Sequence, residues 1–401
     1  MNSLRFSRQE KFLLFCLAFI QFSHIVDFMI LAPMGPTLMR IFAITPHQFG
    51  LLISTYTLAA AVSGLMAAFF VDKYDRKKSL LFFYFGFCIS TIACALAENY
   101  TALLFTRTLT GAFGGVLGSL VMSMVGDAIR PELRGSATGI ITTAFSMASV
   151  FGVPFALFLS QKFDWHAPFL FLGVLSLMLT AGISLAIPSM RQHLEKAKKE
   201  HAWSVIQGIL TNSHQVLAIV FLMMLILGQF SIIPFFSPSL VANGGLHENQ
   251  LPWVYSAGGV MSIISAPLIG RMADRIGKKK VFMVGASFSL LPFFLVTQLR
   301  ESSLAYILFI TVMFFLSMGG RMIPAQAMVT GVVPAHHRGT FMSLASSAVN
   351  FSSAIGSYLA GIIIVKSTDG KLLNYDFVGY TALILTIVSL IMVGKLKTDV
   401  S

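Results

Sequence analysis

Between two long apolar runs the chain reads GRMADRIGKK, residues 270–279. Five of these ten side chains carry charge, yet LPWVYSAGGVMSIISAPLI (251–269) precedes them and VFMVGASFSLLPFFLV (281–296) follows. A basic knot between apolar runs of this length reads as a short connection between two membrane helices. Spanning a hydrocarbon layer about 30 Å thick takes roughly 20 apolar residues at about 1.5 Å per residue. The stretch VDKYDRKKSLL (71–81) repeats the device, with Asp72 standing 202 positions before Asp274.

Outward from these knots, twelve apolar runs fill the chain, roughly at 12–36, 48–71, 79–97, 102–125, 137–160, 166–188, 214–239, 251–271, 280–298, 303–329, 341–365 and 377–394; we number them spans 1 to 12. They are continuously apolar, without the period-two alternation of barrel strands, and so predict helices. Of the 401 residues, 56% are hydrophobic and 11% charged, where a soluble domain carries about 25% charged residues. Arg5, Arg8 and Lys11 precede the first run in the manner of a signal peptide. That run is longer than a signal peptide's apolar region and shows no small-residue cleavage site, so it reads as a retained span. Cys16, Cys88 and Cys94 fall inside runs and read as packing residues, not as disulfide partners or metal ligands. The expected fold is an all-α integral membrane protein.

The net charge of +12 is an orientation signal rather than a nucleic-acid footprint. All but seven of the 28 Lys and Arg lie at the termini and in the even-numbered connections; the exceptions are Arg40, Lys162, Arg300, Lys366 and Lys371 in odd-numbered connections and Arg107 and Arg321 within spans. The positive-inside rule then predicts cytoplasmic termini, and an inner (cytoplasmic) membrane location is expected.

The polar stretch RQHLEKAKKEHAW (191–203) separates six spans from six, with Lys196, Lys198 and Lys199 as a solvated tether. The expected domains are an N-terminal bundle 1–189, a cytoplasmic loop 190–213 and a C-terminal bundle 214–401. Arg134 and Arg338, before spans 5 and 11, lie 204 positions apart, as do Gly152 and Gly356 within those spans. Such a repeat predicts two pseudo-symmetric six-helix bundles with a solute site between them near the bilayer midplane.

On these residues the chain resembles the major facilitator superfamily over essentially its full length. Gly270, Asp274, Arg275, Gly277 and Lys278 follow the family's loop motif G-x-x-x-D-R-x-G-R/K-R/K. The first half keeps Asp72, Lys73, Arg76 and Lys77 but has Ala68 and Asp75 at the glycine positions. The resemblance implies that Asp72 latches a cytoplasmic gate against the start of span 11. A carboxylate near a helix N-terminus is favoured by the free N–H groups there; the alternative is that these charges only set topology. RTLTGAFGG, from Arg107 with Gly111, resembles span 4 of the drug:proton antiporter and arabinose-efflux-like branch. Span 5 keeps that branch's Gly139, Gly152 and Pro154, with Ala148 at a usual glycine and Val153 before the proline.

Three charged side chains lie deep in spans: Asp27 in FSHIVDFMILAP (22–33), Arg107 and Arg321. Each costs roughly 2.5–3.5 kcal/mol at a helix centre, so such groups face protein or water. They occupy spans 1, 4 and 10, which line the cavity in the resembled family. Asp27 lies about 24 Å beyond Lys11 along an ideal helix, at a depth where Arg107 can pair with it. Burial disfavours the ionised carboxylate and a guanidinium favours it, and a carrier can use that competition for proton coupling. His24, one turn earlier, is a second proton-coupling candidate or a packing histidine; Arg107 can instead snorkel to the headgroups. Arg321 is expected either to approach Asp27 or to receive an anionic group of the solute. Gln21, Tyr56, Gln229, Phe230, Gln326 and Asn350 are further wall candidates, or helix–helix glue.

The expected function is alternating-access secondary transport, with proton-coupled efflux of a small organic or amphipathic compound and a uniporter or importer of an organic anion as the alternative. No cofactor, metal or nucleic acid is expected, the proton gradient drives the work, and a monomer in the lipid bilayer suffices. No phosphate-binding glycine loop, HExxH or soluble catalytic domain points to an enzyme.

Overall fold

The computed structural model describes residues 6–70, 73–186, 189–190, 202–333 and 338–396. Span 1 is the helix Arg8–Ile30, span 2 Pro46–Phe70, span 3 Arg76–Ala95 and span 4 Tyr100–Ala128. Span 5 joins Arg134–Met147 to Val153–Lys162, and span 6 is Ala167–Ala186. Spans 7 to 12 are Ser213–Ala242, Leu251–Ile276, Lys278–Thr297, Leu304–Val329, Arg338–Ile363 and Tyr375–Lys395. Eleven of these are long and apolar enough to cross a membrane. Span 11 is the twelfth long helix and the most serine-rich: Ser347, Ser352, Ser353 and Ser357 are buried, and Ser353 and Ser357 return their hydroxyls to Val349 O and Ser353 O. These small side chains let it pack closely between span 2 and span 7.

Local sequence explains the departures from twelve plain rods. Span 1 stops at Ile30, before Pro33, and the chain turns into a short helix Gly35–Ile41 with Pro36 in its first turn. In span 5, Pro154 has no N–H to return to the preceding turn, and the ladder widens into a π turn over Ala148–Gly152. Two short antiparallel strands, β1 (Val365–Lys366) and β2 (Leu372–Leu373), form a hairpin between spans 11 and 12.

Among the described residues, the start of span 1, the flanks of the even-numbered connections and the end of span 12 share one end of the molecule, the basic end, where Arg130 meets Glu10 and Lys279 meets Gly394 O; the odd-numbered connections share the far end. Spans 2 and 11, and spans 5 and 8, are the main contacts between the first six spans and the last six. At the far end, one hydrophobic core runs through both sets, from Ile30, Phe49 and Phe169 to Phe235, Phe314 and Tyr375. Towards the basic end the core divides. One cluster holds Leu17, Phe87 and Leu120 from the first six spans, and another holds Phe221, Phe282 and Met328 from the last six. Spans 5 and 8 show the same divergence: Gly259 packs against Ser149 and Val150, whereas Gly139 and Gly270 face open space. The molecule is closed at the far end and parted towards the basic end.

Candidate functional site

Gly111 sets the geometry of the buried charges. A Cβ there would overlap the Tyr56 backbone, so its absence lets span 4 cross span 2 in contact. That crossing lays the Tyr56 ring over the guanidinium of Arg107, one turn earlier, with Cζ 4.4 Å from the ring centre. The Phe169 ring of span 6 lies 5.8 Å away. Within this enclosure Arg107 Nη1 donates to Asp27 Oδ2 at 2.9 Å and Nη2 to the Asp27 carbonyl at 3.4 Å. Thr91 of span 3 donates to the other carboxylate oxygen at 3.5 Å. Asp27 is 0% and Arg107 1% exposed. The depth reckoned from helix rise thus brings the two together, and Arg107 does not snorkel. Removing one member of such a pair strands a charge, at about 3–5 kcal/mol.

Around the pair, Gly114 makes room for His24 and Tyr56: a Cβ there would stand 2.9 Å from His24 Cδ2 and 3.2 Å from the Tyr56 hydroxyl. The Tyr56 oxygen lies beside the carboxylate without meeting hydrogen-bond geometry. His24 sits edge-on to Phe87 at 5.9 Å; its Nδ1 and the Oε1 of Gln21 are buried without hydrogen-bond partners. His24 makes no hydrogen bond to Asp27, so the structure does not join them into a relay. Phe28, which nothing in the sequence singled out among 37 phenylalanines, packs on Tyr56 at 5.5 Å and on Phe230 of span 7 at 5.9 Å. It carries an aromatic bridge from the residue next to Asp27 into the second set of spans. Gln229, beside Phe230, is buried with Oε1 unpartnered; Asn350 is half-buried and Gln326 exposed.

Arg321 corrects an expectation. It does not approach Asp27 but turns into its own set of spans, 1% exposed. Its Nη2 donates to Leu225 O at 3.2 Å, its Nη1 to Ser289 at 3.4 Å, and Phe293 lies 4.7 Å below. The enclosed guanidinium has no acidic partner among the described residues and does not face the space between the two sets.

Of the gating candidates, Asp72 and the side chain of Arg338 lie outside the described residues. Arg76 pairs with Asp127 at 3.1 Å, and Arg134 donates to Ile129 O at 3.0 Å. Asp75 caps span 3 through Lys77 N and also accepts from Ser189 and Met190, tying the chain after span 6 to the start of span 3. Its φ of −57° needs no glycine, whereas Gly277, its counterpart, sits at φ 99°. That difference accounts for the second of the two missing motif glycines, with a glycine at 277 and none at 75. Asp274, Arg275 and Lys278 are exposed and Gly270 meets open space, as the parted basic end requires. The packing glycines are in close contact: Gly152 against Val26, and Gly356 against span 7, where a Cβ would stand 2.8 Å from Leu227 O. Pro154 follows the π turn.

A cluster absent from the sequence reading bridges the two sets of spans at the far end. Glu248, before span 8, accepts from Arg40 at 3.0 Å and Thr37 at 2.7 Å, and its carbonyl accepts from Gln161 of span 5 at 2.8 Å. The hydrogen bond and charge of Glu248 push the Arg40 pKa up from its ordinary value.

The family model described as Major Facilitator Superfamily matches residues 17–244 and 218–399. The chain is 24% identical over 347 residues to the uncharacterized MFS-type transporter YceJ of Bacillus subtilis (strain 168), covering 84% of this chain and 85% of that protein. It is 25% identical over 252 residues to a chloramphenicol efflux pump of Mycobacterium tuberculosis (strain ATCC 25618 / H37Rv), covering 60% and 59%. A crystal structure of a D-xylose–proton symporter superposes with TM-score 0.77 over 96% of this chain and 98% of that one, at 14% identity, a likeness of fold.

Proposed function

Since the chain belongs to the Major Facilitator Superfamily and is thus a multi-pass membrane transporter and not an enzyme, we propose that it exports a small organic or amphipathic compound in exchange for protons. The observation that carries this reading is the Asp27–Arg107 pair, a titratable group at the closed end of a two-bodied molecule. With Asp27 ionised the pair is neutral and needs no water. Protonation leaves Arg107 without its counter-charge in a dry enclosure, which destabilises the closed far end and biases the exchange of facing states.

The basic end is read as cytoplasmic, in the inner membrane, so the parted state is the one that loads solute from inside. The two six-span sets, with boundaries near 189 and 214, act as the rocking bodies, and a monomer suffices. Phe28, Tyr56 and Phe230 roof the space between them and can accept an apolar or aromatic body by repacking. Gln21, Gln229 and Asn350 offer polar contacts. The efflux pump among the relatives supports the outward direction, and the open loop motif around Asp274 supports gating at the basic end.

A second reading, transport of an organic anion, draws on Arg321, which lacks an acidic partner among the described residues. Its enclosure by spans 7, 9 and 10 makes it the weaker of the two. The test uses proteoliposomes with an imposed pH gradient and chloramphenicol as first probe among a panel of drug-like and metabolite compounds. A transported compound drives proton movement in the wild type and none in Asp27→Asn; unchanged exchange in the variant removes Asp27 from the coupling role.

A further inference from the structure

A groove of about 460 Å³ lies outside the space between the two sets of spans, on the surface between spans 3 and 6. Span 3 contributes Leu81, Phe82 and Phe85, and span 6 contributes Leu177 and Ala181. Its two hydroxyl residues have spent their donors on their own helix, Thr180 on Ser176 O at 2.9 Å and Ser184 on Ala181 O at 2.7 Å, leaving only acceptor lone pairs. The groove is therefore shaped for an apolar chain. It stays formed because the chain after span 6 is pinned to the start of span 3, where Ser189 and Met190 N donate to Asp75 and Arg76 N donates to Met190 O.

Charge sits at the basic-end mouth of the groove. Lys78, Phe82 and Phe85 follow one another at four and three residues, hence along one face of span 3, and Lys77 stands one turn before Leu81. Side chains on a helix lean towards its N-terminus, here the basic end, so these lysines reach towards the headgroup level while the phenylalanines stay in the apolar layer. Lys78 is exposed, Lys77 half-buried, and neither side chain pairs with an acid among the described residues. Nearby, Asp75 and Asp127 are already engaged, as helix cap and with Arg76. An unneutralised pair of cations above an apolar groove matches one kind of occupant, an anion carrying a hydrocarbon chain.

We propose that this groove binds one anionic phospholipid, its acyl chain between Phe82, Phe85 and Ala181 and its phosphate at Lys77 and Lys78. Basic pockets between membrane helices take anionic headgroups in this way, each lysine contributing about 1 kcal/mol near a negative surface. The site clamps span 3 to span 6, within one of the two bodies, and is separate from the solute path.

The test is native mass spectrometry of the full chain, purified in mild detergent and titrated with phosphatidylglycerol or phosphatidylcholine. Phosphatidylglycerol is expected to bind as a single retained adduct and phosphatidylcholine to be lost. The soluble headgroup glycerophosphoglycerol should not displace it. Lys77→Gln/Lys78→Gln should weaken binding about 30-fold, from the two charges. Ala181→Phe, at an exposed position, should fill the groove and abolish the adduct with the lysines intact. Equal retention of the two lipids overturns the proposal. So does an adduct that survives Ala181→Phe, since charge alone then gathers a diffuse lipid annulus.

Discussion

The strongest energetic consequence of the structure concerns the two buried partners taken one at a time. Asp27→Asn leaves Arg107 held by the Tyr56 and Phe169 rings but without a counter-ion, at 1% exposure. A stranded buried charge costs about 3–5 kcal/mol, and arginine cannot escape by losing its proton. Arg107→Gln strands Asp27 instead, but a carboxyl can take a proton and become neutral. The two single variants should therefore differ in pH response. The stability of Asp27→Asn should not vary with pH at this site, its deficit closing only where acid protonates Asp27 in the wild type as well, whereas Arg107→Gln itself gains stability towards acid, where the proton is supplied. In the double variant neither charge remains and the two amides can bond each other, so it should return to within about 1 kcal/mol of the wild type, giving a coupling of about 5 kcal/mol or more at a pH where both single variants carry the full penalty. Equilibrium unfolding in mixed micelles of mild detergent and dodecyl sulfate, followed by tryptophan fluorescence, measures all four corners. Penalties that simply add in the double variant refute the pair as an energetic unit.

Two further outcomes follow from the packing. Gly111→Ala should cost at least about 2 kcal/mol and much of the folded yield, because the added methyl meets the Tyr56 backbone rather than a movable side chain; thermal unfolding against Gly139→Ala, whose position is open, checks this. Glu248→Gln removes the charge that Arg40 meets across the far end, and should raise the alkylation rate of a cysteine placed at Phe49 by about 2- to 5-fold, as suits a largely exposed ion pair; an unchanged rate shows that the shared apolar core alone closes that end.

Span number, the repeat and the depth of each charge were legible because hydropathy and helix rise require no knowledge of packing. Depth was enough for Asp27 and Arg107, which start from opposite ends and meet at one level. It failed for Arg321, since depth does not say which way around the helix a side chain points. In a membrane both the lipid face and the packed face of a span are apolar, so the period that reveals orientation in a soluble helix is largely erased. The same loss hid Phe28, whose place between Tyr56 and Phe230 is a matter of azimuth. Glu248 was hidden for another reason: it lies in a connection itself, its partners Arg40 and Thr37 come from another and Gln161 from the last turn of span 5, and hydropathy does not trace how these meet. Asp75 looked like a defect in a glycine motif, and only its backbone angle shows it to be a helix cap.

Proton exchange at Asp27 is the central claim, and infrared difference spectroscopy of the carboxyl stretch tests it most directly. Membranes holding the wild type and Asp27→Asn are compared across a pH series while the protein is locked open at either end by cross-linking. The account predicts a protonated-carboxyl band that titrates, is absent from Asp27→Asn, and changes its midpoint between the two locked forms. A midpoint that is the same in both forms, or a band that Asp27→Asn leaves in place, contradicts it.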